Sequence, residues 1–235
     1  RHKLIVVAAD LSNGRAIRFG EKGWDHVPIS RAVQASTAVP GLYPPVVIDG
    51  HQCVDGILLR TVHASVALED GARLVLCVNP LVPADVTAAE KAGKARNGII
   101  VRRGLPTVLS QTIRTLIHSR LQVGMGTYKN RFPDADVLLF QPDRDEYRMF
   151  FINIFSFESR RAVVELAYQS TRRDLRRRRA VLEPVLARHG IRLRGDLLDD
   201  EQRTVWRSVG LPEQENSSDL GLRLTRTLAA LEDRN

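Results

Sequence analysis

Ala35-Ser36-Thr37-Ala38-Val39-Pro40-Gly41-Leu42-Tyr43-Pro44-Pro45-Val46-Val47-Ile48-Asp49-Gly50 runs, after His51-Gln52, into Cys53-Val54-Asp55-Gly56. Pro40-Gly41 ends a helix that has Pro28 in its first turn and reaches about Thr37. Pro44-Pro45 and Asp49-Gly50 bracket the short strand Val46-Val47-Ile48, and Asp49-Gly50 is a strong hairpin signal leading into the strand through Val54. Asp55-Gly56 then breaks that strand, leaving a carboxylate at a strand end before a residue that lets the chain turn away. Upstream, residues 4–8 (Leu-Ile-Val-Val-Ala) are a continuous apolar run, the mark of a strand buried on both faces. Ser12-Asn13-Gly14 is turn chemistry, and 15–19 alternates as a returning strand. Downstream, 62–68 reads as a short helix closed by Gly71, and 74–78 as another apolar strand ended by Asn79-Pro80.

Beyond residue 80 the pattern changes. Residues 82–104 are rich in Ala, Lys, Arg and Gly without apolar periodicity and read as a mobile surface loop. Residues 106–123 read as a helix with Gly124 as its stop, and 136–140 as one more strand. From Ser159 to about Arg188, Val164, Tyr168, Thr171, Leu175, Leu182 and Leu186 recur at helical spacing, so one long helix is expected, with a kink at Pro184. Two short helices are expected after it, one from Asp199-Asp200 to Gly210 and one opening at Ser217-Ser218-Asp219. The expected organisation is an α/β unit over 1–158, a sheet flanked by helices, followed by a helical region over 159–235.

The 235 residues include 35 basic and 27 acidic side chains, a net charge of +8, and only five of the basic residues are Lys. Such a balance speaks of solubility and anionic partners, not of fold. Two cysteines, Cys53 and Cys77, exclude a disulfide framework and a four-cysteine zinc site; on strands they are expected to be buried and inert. No apolar run reaches the length of a membrane span. The six histidines show no metal-site spacing, and Asp143, Asp145 and Glu146 have too few regularly spaced oxygens for a calcium loop, so neither metal nor cofactor is expected.

Three ordered blocks carry a resemblance: Ala8-Ala9-Asp10-Leu11-Ser12-Asn13-Gly14, the Ala35 to Pro45 segment, and the hairpin ending in Val54-Asp55-Gly56. In order and spacing the sequence resembles the patatin-like phospholipases over roughly residues 4–80, with a weaker likeness beyond to bacterial members with Arg-rich helical C-terminal regions. The resemblance implies a three-layer α/β fold and a lipid acyl hydrolase working through a serine–aspartate dyad, without histidine. Asp55 matches the family's catalytic aspartate; Gly56, Ser36, Pro40 and Gly41 match residues that support the motif. The implied substrate is a lipid or phospholipid ester, and the implied location is cytoplasmic or at the membrane periphery.

No serine in the chain stands in Gly-x-Ser-x-Gly; Ser12 comes closest, with Asp10 in place of the first glycine. No glycine-rich oxyanion loop is present either. In family order both elements precede residue 4, so the expectation is the C-terminal part of a longer enzyme, inactive alone. Ile57, Thr61 and His63 depart from the family pattern. His63 follows the Asp55 loop and could assist proton transfer, but reads rather as a helix residue with a local hydrogen bond, and His118 as a surface or interface residue. Arg172, Arg173, Arg176, Arg177 and Arg179 make the densest charge feature. They read as a solvated helix face or as contacts for anionic lipid headgroups; nucleic acid is disfavoured because no stacking platform accompanies them. The competing function is a non-catalytic module that binds anionic lipid or nucleic acid through this helix.

Overall fold

A computed structural model describes residues 3–40, 42–91, 96–143 and 159–212. The chain separates into two compact units, residues 1–151 and 152–235. The first has the expected α/β content, with its strands divided between two sheets.

The larger sheet has four antiparallel strands in the order β2-β1-β4-β3, formed by β1 (Val6–Asp10), β2 (Arg15–Phe19), β3 (Val46–Ile48) and β4 (His51–Asp55). The β3–β4 turn is where the dipeptide signal placed it: Asp49 and Gly50 both adopt positive φ, at 49° and 82°. Helix α1 (Ile29–Ser36) lies over this sheet and buries Ala32 and Ala35 against Ala8, Ile17, Phe19 and Cys53. Alanines on the buried face let the helix backbone come close to β1. A second core gathers Ala64, Leu68, Cys77 and Tyr128. It joins helix α2 (Ala64–Glu69), the parallel pair β5 (Leu74–Val78) and β6 (Asp136–Phe140), and the long helix α5 (Leu105–Arg131).

Two sequence expectations for this unit need correction. Residues 82–104 contain two short helices, α3 (Thr87–Lys91) and α4 (Ile99–Arg102), and Val82 and Ala84 are buried. The Gln111 amide ties the Ala84 backbone on both sides, donating to its carbonyl at 2.8 Å and accepting from its N–H at 3.1 Å. Gly124 does not stop α5, which continues through Gly126 to Arg131. A glycine ends a helix by adopting positive φ, and neither Gly124 nor Gly126 does so. Met125, Tyr128 and Phe132 pack into the second core, and that burial outweighs the roughly 1 kcal/mol that a helical glycine costs.

In the second unit the expected single helix is two, α6 (Arg160–Arg177) and α7 (Arg179–Arg188). The break falls at Arg178, which closes α6 with its N–H on the Asp174 carbonyl and starts α7 with its own carbonyl; Pro184 lies inside α7. Two short helices follow, α8 (Gly195–Leu198) and α9 (Val205–Val209). The start expected at Asp199-Asp200 is wrong: the Thr204 hydroxyl caps α9 by accepting from Arg207 N–H, and Gly210 ends it at φ 69°. The helix expected at Ser217-Ser218-Asp219 lies outside the described residues.

Candidate active site

Asp55 is the last residue of β4, paired with Ala8 of β1. Its backbone N–H donates to the Ala38 carbonyl at 3.0 Å, so the strand end is stitched to the segment that leaves α1. One carboxylate oxygen, Oδ1, accepts from the Ile57 N–H at 2.9 Å and caps a single 3₁₀ turn, Gly56–Leu58. The other oxygen has no hydrogen-bond partner among the described residues. Burial pushes the Asp55 carboxyl above its usual value, opposed by the Ile57 hydrogen bond. A half-buried carboxylate with one oxygen tied to the Ile57 N–H and the other open, on a main chain itself bonded to Ala38, can accept a proton from a hydroxyl brought within reach.

The supporting residues meet at one carbonyl, that of Val7. The Ser36 hydroxyl donates to it at 2.8 Å, fixing the end of α1 on β1. A Cβ placed on Gly56 would lie 2.7 Å from the same oxygen and 3.1 Å from His63 Cε1, so only glycine fits at this corner. Ser36 is therefore committed to the backbone. Pro40 is half-buried in the turn after α1, whose Val39 carbonyl accepts from the Leu42 and Tyr43 N–H groups. Gly41 lies outside the described residues.

His63 occupies the N-cap of α2 and makes no capping bond, contrary to the local hydrogen bond expected of it. Its Nε2 is buried without a partner among the described residues. Burial, reinforced by Arg60 and Arg18, lowers its pKa to about 4, so the ring is neutral at pH 7. Asp10, at the opposite end of β4's pairing with β1, is 1% exposed. It accepts from the Ser12 N–H, the Asn13 amide and His51 Nδ1, and its carboxyl is held below the usual range chiefly by His51. Cys53 and Cys77 are free and buried, and burial raises the Cys77 thiol to about 11.

Sequence reasoning missed Arg120. From the middle of α5 it donates to the Leu58 carbonyl at 2.7 Å and to the Leu59 carbonyl at 2.6 Å, closing the turn that Asp55 opens. The partners are 62 and 61 residues apart, so no local pattern could have pointed to it.

Arg172, Arg173, Arg176, Arg177 and Arg179 do not form one surface. Arg172 is 4% exposed; its terminal nitrogens reach the carbonyls of Leu197, Leu198, Asp200 and Arg203, where α8 ends. Arg176 donates Nε to the Leu198 carbonyl at 2.7 Å. Arg179 pairs with Glu183 at 2.7 Å and Asp199 at 3.2 Å. Arg173 and Arg177 are exposed, with Arg177 also bonded to Asp174. Arg172 is thus a buried clamp on carbonyls and cannot belong to a lipid-facing set.

A carboxylate at the end of a sheet strand, open on one oxygen and packed under a helix end, defines an α/β protein with a site suited to general-base chemistry. Residues 1–68 match the family model described as Patatin-like phospholipase. The matched span includes β1 to β4, α1, the Asp55 corner and most of α2, and it bears out the resemblance read from the three sequence blocks. The kind of activity it supports is lipid hydrolysis. Among the described residues no helix is long and apolar enough to cross a membrane.

Proposed function

We propose that the chain carries the base of a serine–aspartate dyad in a lipid acyl hydrolase. Asp55 takes the proton of a serine hydroxyl as the serine oxygen attacks the ester carbonyl. The alcohol leaves with that proton, and an acyl-serine ester remains. Asp55 then takes a proton from water as the water oxygen attacks the acyl ester, and passes it to the departing serine oxygen, so that the fatty acid leaves and the serine hydroxyl is restored. The serine is one that these 235 residues do not contain on a Gly-x-Ser-x-Gly elbow; it belongs to another part of the complete enzyme. The observation that carries the reading is the Asp55 carboxylate, with one oxygen fixed by Ile57 N–H and the other without a partner among the described residues. Burial raises the Asp55 carboxyl above its usual value, which makes its carboxylate a stronger base than that of an exposed aspartate.

The test is Asp55→Asn in the complete protein, assayed on a short-chain nitrophenyl ester. Asparagine keeps the Ile57 contact but cannot accept the proton, so activity is expected to fall at least about 100-fold with the fold intact. Activity near wild type would overturn the assignment. A second reading, a module held at anionic bilayers, is favoured by the exposure of Arg173 and Arg177 on α6.

A further inference from the structure

The cleft between the loop that follows Asp55 and the second half of α5 carries unbalanced positive charge. It encloses about 470 Å³ and is lined by Arg60, Arg120 and Arg131, with no carboxylate among its described lining residues. Arg60 spends one donor, on the Ser65 hydroxyl at 3.1 Å. Arg120 gives its two terminal nitrogens to neutral carbonyls. Neither makes an ion pair with a carboxylate among the described residues, although Glu69 lies close enough to Arg60 to feel its charge. Arg131 has one, Glu69 at 3.0 Å, but that carboxylate is shared with Arg18 at 2.8 Å. The Ser119 hydroxyl, also on the wall, makes no hydrogen bond among the described residues. Three arginines line the cleft against one nearby carboxylate, Glu69, which Arg18 also shares, so positive charge is in excess there, and the planar guanidinium fork matches phosphate oxygens.

We propose that this cleft is a phosphate-binding site. The phosphate is that of a lipid headgroup or of a free phosphate compound. In the lipid case the site sets the headgroup beside the loop that begins at Asp55, and naming the substrate as a phospholipid then rests on the hydrolase reading above. The binding itself does not.

Calorimetry on the complete protein tests it with three probes: inorganic phosphate, a short-chain ether-linked phosphatidylglycerol below its micelle concentration, and the matching dialkylglycerol without phosphate. Ether linkages resist ester hydrolysis, so the result is independent of whether Asp55 is a catalytic base. Phosphate is expected to bind, weakening as salt rises, and the dialkylglycerol is expected not to. Displacement of phosphate by the ether lipid identifies the headgroup as the source; phosphate binding without lipid binding identifies a free phosphate compound. Arg60→Gln, an exposed change that removes one weak contact to a serine, should weaken phosphate at least about tenfold with an unchanged circular dichroism spectrum. No binding of either phosphate probe, or equal affinity in an Arg60→Gln/Arg131→Gln protein, would overturn the proposal.

Discussion

His63 sits behind Gly56 with its Nε2 buried and unpartnered among the described residues, and this fixes its charge state. In the unfolded chain an imidazole binds a proton below about pH 6.5; in the folded protein it does so only below about 4, because burial and the nearby arginines oppose the charge. Between these values the unfolded state holds more protons, so stability is full above pH 6.5 and is lost as pH falls toward 4. Thermal melts across pH 7 to 4 should therefore show a decline that His63→Gln, which cannot titrate, flattens. An unchanged slope in the variant would place the pH dependence elsewhere. Gly56 gives a second expectation. Gly56→Ala sets a methyl 2.7 Å from the Val7 carbonyl, and backbone must move, so a loss of about 1–3 kcal/mol in urea denaturation is expected. The strand-end corner at Asp55 and Gly56 was legible because the signal is local: turn residues, a strand and a helix end in fixed order. The state of His63 was not, since it depends on what packs behind residue 56.

The elements of the first unit were legible where sequence period and turn chemistry agree, as for the β3–β4 hairpin, and illegible where packing decides. Helix α5 is the clearest case. Gly124 looked like a stop, yet the residues after it carry Met125, Tyr128 and Phe132 into a core built from segments distant in sequence. The helix thus keeps glycines that its local propensity would reject. Gly126 is exposed, and a Cβ there meets nothing within 4 Å. Gly126→Ala should stabilise the protein by about 0.5–1 kcal/mol, read as a higher midpoint in chemical denaturation with an unchanged slope. A destabilised variant would mean that residue 126 leaves the helical conformation or meets a neighbour. The same long-range logic hid Arg120, whose two hydrogen bonds to residues 58 and 59 couple α5 to the Asp55 turn.

Across the whole molecule, 35 basic residues against 27 acidic ones suggest attraction to anionic surfaces, but the structure divides the arginines between two tasks. Arg172 and Arg176 close backbone carbonyls at the end of α8, and Arg179 is held by Glu183 and Asp199. A charge count along the sequence cannot separate these from Arg173 and Arg177, because helical spacing alone does not say which side chains find carbonyls 22 to 31 positions away. If α6 touches anionic bilayers, Arg173 and Arg177 are the exposed members of these five arginines that can do so. Each basic residue near such a surface contributes about 1 kcal/mol, so Arg173→Gln/Arg177→Gln should weaken binding to anionic vesicles by about 30-fold at low salt. The effect should vanish at molar salt, where the screening length is about 3 Å, and should be absent on vesicles without anionic lipid. Arg172→Gln makes a useful contrast: it removes the clamp on buried carbonyls and should appear as lost thermal stability before any change in vesicle binding. Cosedimentation at two salt concentrations decides between the readings. Equal binding by wild type and the double variant would leave this face of α6 solvated and the lipid contact to other parts of the protein.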